Sequence, residues 1–208
     1  MANKKKDKRK PRKPKVNLMV GRPRPRPINF QGSTQILEKA RDYPLLGCWI
    51  MEGWQERGIT PVVVARKVTD DRVVYGAFLV DIYCLGVKNA LWKADVSLKQ
   101  FEREIPRLCS DMPEVCESSL AHEIIYGAVE YARRYGFEPH HDFGKASLVL
   151  DPPTTYAHNH NVEFGYEGTP LFVSGPRDDA RAIVNQLIRA AGEGNFHYLV
   201  ARDEPDDS

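Results

Sequence analysis

The fold turns on one stretch: Pro61-Val-Val-Val-Ala-Arg-Lys-Val68, then Thr69-Asp-Asp-Arg72, then Val73-Val-Tyr-Gly-Ala-Phe-Leu-Val-Asp-Ile-Tyr-Cys-Leu85. The first run is β-branched and reads as a strand. The tetrapeptide reads as a turn and the third run as a long strand. Gly86 permits a second reversal into Lys88 to Val96, where Ala90, Trp92, Ala94 and Val96 share one face at period two. These features predict a three-stranded antiparallel meander.

Working outward toward the N-terminus, Ser33 or Thr34 caps a short helix with Ile36, Leu37 and Ala40 on its face. Pro44 suits the first turn of a second helix carrying Leu46, Trp49, Ile50 and Trp54, which Gly58 ends. Toward the C-terminus, Ser97-x-x-Gln100 is a capping-box signature ahead of Leu98, Phe101 and Ile105 at helical spacing. Pro106 and Pro113 interrupt the chain beyond that helix. The best helical pattern begins near Ser119, with Leu120, Ile124, Ala128, Ala132 and Tyr135 on one face and Gly136 as its stop.

Past Gly136 the reading is a short strand (Ala146 to Leu150), a loop from Asp151 to Asn161, and a hairpin of Val162 to Tyr166 with Thr169 to Ser174 around Glu167-Gly168. A closing helix comes next, with Ala180, Ile183, Val184, Leu187, Ile188 and Ala191 inward, and then a strand from Phe196 to Val200. No βα unit repeats. The order predicts an α+β fold: an antiparallel β-meander packed by helices, followed by a smaller ββαβ-like segment.

The 208 residues carry 30 Lys/Arg and 28 Asp/Glu, a net charge of +2. That small number conceals a segregation. Lys4, Lys5, Lys6, Lys8, Arg9, Lys10, Arg12, Lys13, Lys15, Arg22, Arg24 and Arg26 face one acid, Asp7, in the first 26 residues, which therefore carry +11. The other 182 residues hold 18 basic and 27 acidic groups, a net of −9. Arg22-Pro-Arg-Pro-Arg-Pro27 favours an extended polyproline path. The expected organisation is a disordered basic Pro-rich arm (1–30), a globular body (31–202) with a sub-division near 137 left open, and an acidic tail (203–208).

No run of about 18 apolar residues is present, so no membrane span is expected. The N-terminus lacks the apolar core of a secretory signal and the serines of a mitochondrial one, which leaves the cytoplasm as the expected location. Cys48, Cys84, Cys109 and Cys116 form no C-x-x-C pair and read as reduced thiols. G-x-x-x-x-G-K-[ST], G-x-G-x-x-G and G-x-S-x-G are all absent, so a nucleotide cofactor and a serine-elbow hydrolase have no support.

Four features could carry chemistry. The twelve cations of the arm suit a phosphate backbone, so RNA or a ribonucleoprotein, including the ribosome, is the expected partner. The histidines all fall between His122 and His197. His140-His141-Asp142 and His158-Asn-His160 offer imidazoles beside a carboxylate, as a divalent metal requires. His122-Glu123 could add a ligand or a base, although Tyr126 replaces the second histidine of a zincin H-E-x-x-H. Asp81 sits in an apolar run and must be paired, exposed in a cleft, or protonated, with Lys88 or Arg66 as partner. Ser174-Gly-Pro-Arg177 before a helix suits an anion, but Asp178 and Asp179 favour capping there.

Three functional readings are open, the last a regulatory interaction module whose arm binds an acidic protein. The first is a cytosolic RNA- or ribosome-associated binding protein tethered through its arm. The second is a metal-dependent hydrolase or nuclease, with Asp81 or Glu123 as acid–base group near the histidines.

Overall fold

Period-two apolar patterning places alternate side chains on opposite faces, and here both faces are covered. The computed structural model describes residues 30–156 and 159–200; the basic arm, His158 and the acidic tail lie outside them. Five strands form one antiparallel sheet: β1 (Leu45–Met51), β2 (Ile59–Thr69), β3 (Arg72–Asp81), β4 (Gly86–Ser97) and β5 (Pro113–Cys116), in the order β4-β3-β2-β1-β5. The meander is present as read, with Val63 opposite Ala77 and Ala77 opposite Leu91.

Val62, Val64, Phe78 and Val80 point to the larger core, beneath α1 (Phe30–Glu38) and α4 (Ser118–Arg134). Val63, Ala65, Tyr75 and Ala77 point the other way, against Phe101 and Ile105 of α3 (Leu98–Leu108). Ser97 caps α3 as its spacing predicts: its Oγ accepts from the Gln100 N–H at 3.2 Å. At the β3–β4 turn, Gly86 has φ +68° and its α-carbon lies so close to α4 that a Cβ would meet the Ala128 carbonyl oxygen at 2.9 Å. Glycine satisfies both demands.

A smaller unit closes one end of the molecule. β6 (Leu171–Val173) and β7 (His197–Leu199) pair in parallel, joined by α6 (Ala180–Ala191). Phe172 and Leu187 bury themselves against Cys84 and Leu85 of the β3–β4 turn. The two units do not share a sheet. The architecture is α+β.

Several sequence expectations differ in detail. Residues 44–58 form β1 and a short α2 (Trp54–Arg57) in place of one helix. Leu46, Trp49, Ile50 and Trp54 satisfy helical spacing, but β1 fills a place between β2 and β5, and those ladders outweigh local preference. The helix expected from Ser33 or Thr34 begins earlier, at Phe30. Pro106 does not end α3, which runs two residues further. Pro113 opens the edge strand β5, where a missing N–H is tolerated.

The strand expected over 146–150 is instead α5 (Phe143–Ala146) and a 3-10 turn (Ser147–Val149). A short, largely buried apolar run suits either geometry. The 162–174 hairpin shrinks to a single bridge between Tyr166 and Thr169. Its arms hydrogen-bond elsewhere: the Gly165 N–H to Ile82 O at 2.9 Å and the Leu171 N–H to Tyr83 O at 3.2 Å.

Candidate functional site

Asp81 ends β3 facing a turn whose amides need an acceptor. Its Oδ1 takes hydrogen bonds from the Tyr83 and Cys84 N–H groups, each at 2.9 Å. Burial pushes its pKa up to about 6; the Cys84 amide, the Lys88 charge and the Tyr83 amide pull it back only partly. Lys88 itself pairs with Asp178 at 2.6 Å. Arg66 pairs with Asp151. Neither of the two cations considered for Asp81 is its ion-pair partner, and its carboxylate serves as the cap of the β3–β4 turn.

Glu123 is buried on α4 and is similarly engaged. Its Oε2 accepts from the His160 N–H at 2.9 Å, and its Oε1 from the Val162 N–H at 3.2 Å. The His160 ring turns to Ser119, Nε2 to Oγ 2.7 Å, with the Glu117 carboxylate 3.9 Å away. Glu123 thus holds the loop that carries His160.

His140, His141 and Asp142 do converge. One donor atom from each lies within 4.8 Å of the others, the sole such group of three His, Cys, Asp or Glu among the described residues. His141 Nε2 stands 3.3 Å from Asp142 Oδ2, and the two imidazole rings lie 4.0 Å apart. No thiol joins such a group among the described residues, and burial pushes Cys48 and Cys116 up to about 12 and Cys109 to about 11.

The Ser174–Arg177 turn is organised by its neighbouring carboxylates. Asp178 accepts from the Gly175 N–H at 2.8 Å as well as from Lys88. Asp179 caps α6 by accepting from the Ala182 N–H at 3.0 Å. Capping accounts for this segment.

A polar knot that sequence reasoning did not single out surrounds Asp151. The buried Arg66 donates through Nε to Val149 O at 2.6 Å, through Nη1 to Tyr43 O at 2.9 Å, and through Nη2 to Asp151 Oδ1 at 2.6 Å. Tyr156 donates to the other carboxylate oxygen at 3.1 Å. The Asp151 N–H donates to His122 Nε2 at 3.1 Å. Burial lowers the His122 pKa to about 4, so the ring is neutral and Nδ1 carries its proton. The signal was an arginine inside an apolar strand, which must find a buried acceptor.

A surface groove of about 430 Å³ opens between the β3–β4 turn and the 160–167 loop. Trp54, Tyr83 and Tyr166 line it together with Glu163 and Glu167, and no Lys or Arg does. Such a wall repels phosphate. Six cations of the body, Arg66, Lys67, Arg72, Lys88, Lys93 and Arg133, already face carboxylates. No helix among the described residues is long and apolar enough to cross a membrane. Compared with family models, curated proteins and solved structures, the chain matches none.

Proposed function

We propose that this protein associates with RNA or a ribonucleoprotein such as the ribosome in the cytoplasm, with Lys4 to Arg26 supplying the phosphate contacts and the folded body carried as the attached module. The observation that carries this reading is the charge segregation: +11 in the first 26 residues against a net acidic remainder. The body gives it indirect support. Its groove presents carboxylates and aromatic rings with no Lys or Arg, and six of its cations face carboxylates, which favours the arm as the main source of phosphate affinity.

The hydrolase reading has less support. Asp81 and Glu123 each hold backbone amides, and His160 hydrogen-bonds Ser119. The test is salt-titrated co-sedimentation with ribosomes and with total RNA. It compares the full chain with one in which the twelve arm cations are replaced by Gln. If about six phosphates are engaged, log affinity falls with log salt at a slope of about −5, and the neutralised chain stays in the supernatant. Equal sedimentation of the two chains overturns the proposal.

A further inference from the structure

We infer that His140, His141 and Asp142 form a binding site for a divalent transition-metal ion, independently of the arm. The backbone that carries them is held at both ends. The His140 N–H donates to Val87 O of β4 at 2.9 Å, and the Phe143 N–H to His140 O at 2.8 Å. The Lys145 and Ala146 N–H groups both donate to Asp142 O, at 3.1 and 2.9 Å. Immediately after the three donors, Phe143 packs edge-on against Phe78 and Tyr126, and Ala146 is fully buried. The turn therefore presents its side chains from a fixed base, which lowers the cost of gathering them around an ion.

The distances fit. With metal–nitrogen and metal–oxygen bonds of about 2.0–2.1 Å, two ligands of a tetrahedral ion stand roughly 3.3 Å apart. His141 Nε2 and Asp142 Oδ2 are already at 3.3 Å. The widest donor separation, within 4.8 Å, has to close by about 1.5 Å at most, which a side-chain rotation achieves. His140 Nδ1 accepts a long 3.3 Å hydrogen bond from the Asp142 N–H, a weak contact that the ring gives up if that nitrogen binds the ion.

Two imidazoles and one carboxylate select Zn²⁺, Co²⁺, Ni²⁺ or Cu²⁺ over Mg²⁺ or Ca²⁺, which take all-oxygen shells. Three protein ligands leave a coordination position open, and the His141 side chain is 80% exposed, so that position faces solvent. The ion is therefore exchangeable and free to take a further ligand from solution.

The experiment titrates the untagged full chain with Co²⁺, read by visible absorption, and with Zn²⁺ by calorimetry, with Mg²⁺ as the comparison ion. The expected result is one Co²⁺ or Zn²⁺ per chain, with affinity falling at least tenfold in His141→Ala and in Asp142→Asn. Circular dichroism spectra of both variants should be unchanged, because these side chains sit outside the core. An exposed histidine elsewhere, in His197→Ala, leaves binding intact. No bound ion, binding undiminished in the two site variants, or Mg²⁺ bound as tightly as Zn²⁺ would each overturn the inference.

Discussion

Two buried titratable groups pull the pH dependence of stability in opposite directions, and replacing each separately should expose the other. Asp81 has its folded pKa raised to about 6 by burial, against about 3.9 for an unfolded aspartate. Between those values the folded state holds more protons than the unfolded one, so stability falls as pH rises. That separation corresponds to about 3 kcal/mol. His122 is lowered to about 4 by burial, against about 6.5 when unfolded. There the unfolded state holds more protons, so stability rises with pH through the same window, again by about 3 kcal/mol. In the unaltered chain these contributions nearly cancel between pH 4 and 6.5. In Asp81→Asn the amide oxygen still accepts from the Tyr83 and Cys84 N–H groups, but the titration is gone. The stability of this variant relative to the parent should climb by about 2–3 kcal/mol from pH 4 to 6.5. In His122→Gln the relative stability should fall by a similar amount across that range. Urea unfolding at half-unit pH steps, followed by tryptophan fluorescence, gives both difference curves, and other carboxylates drop out of the comparison. A flat difference curve for Asp81→Asn would refute the claim that the buried carboxylate titrates in this window.

Arg66→Met leaves the Asp151 carboxylate and two carbonyl oxygens, of Val149 and Tyr43, without their shared donor. Urea unfolding should register a loss of about 3–5 kcal/mol, and a change under about 0.5 kcal/mol would mean the pair is worth no more than a surface one. Gly127→Ala sets about 1 kcal/mol of helix propensity against a Cβ placed 2.3 Å from the Phe164 ring. Overpacking of that kind costs about 1–3 kcal/mol, so thermal unfolding should show net destabilisation, and a more stable variant would show that the ring moves freely aside.

Much of the fold was legible because it is written in local periodicity. The meander declared itself through β-branched runs broken at Thr69-Asp-Asp-Arg72 and at Gly86, and α4 and α6 through apolar spacing with a glycine just past each C-terminal end. The Ser97 cap is also local, reaching only to Gln100. Asp81 falls in the same class: the amides it binds are two and three residues away, so its turn-capping role was open to inspection beside the acid–base reading.

The sequence by itself determined the period of the meander strands and of α3, α4 and α6, the Ser97 cap, and the division of charge between arm and body. Only tertiary structure decided the rest. Leu45 to Met51 became a strand because β2 and β5 flank it, although its apolar residues would also have served a helix. Arg66 took Asp151, 85 residues away, and Lys88 took Asp178, 90 residues away. Among many carboxylates, the one that neutralises a given cation is chosen by which surfaces the core brings together. That choice depends on burial across the whole chain, and no window of neighbouring residues encodes it.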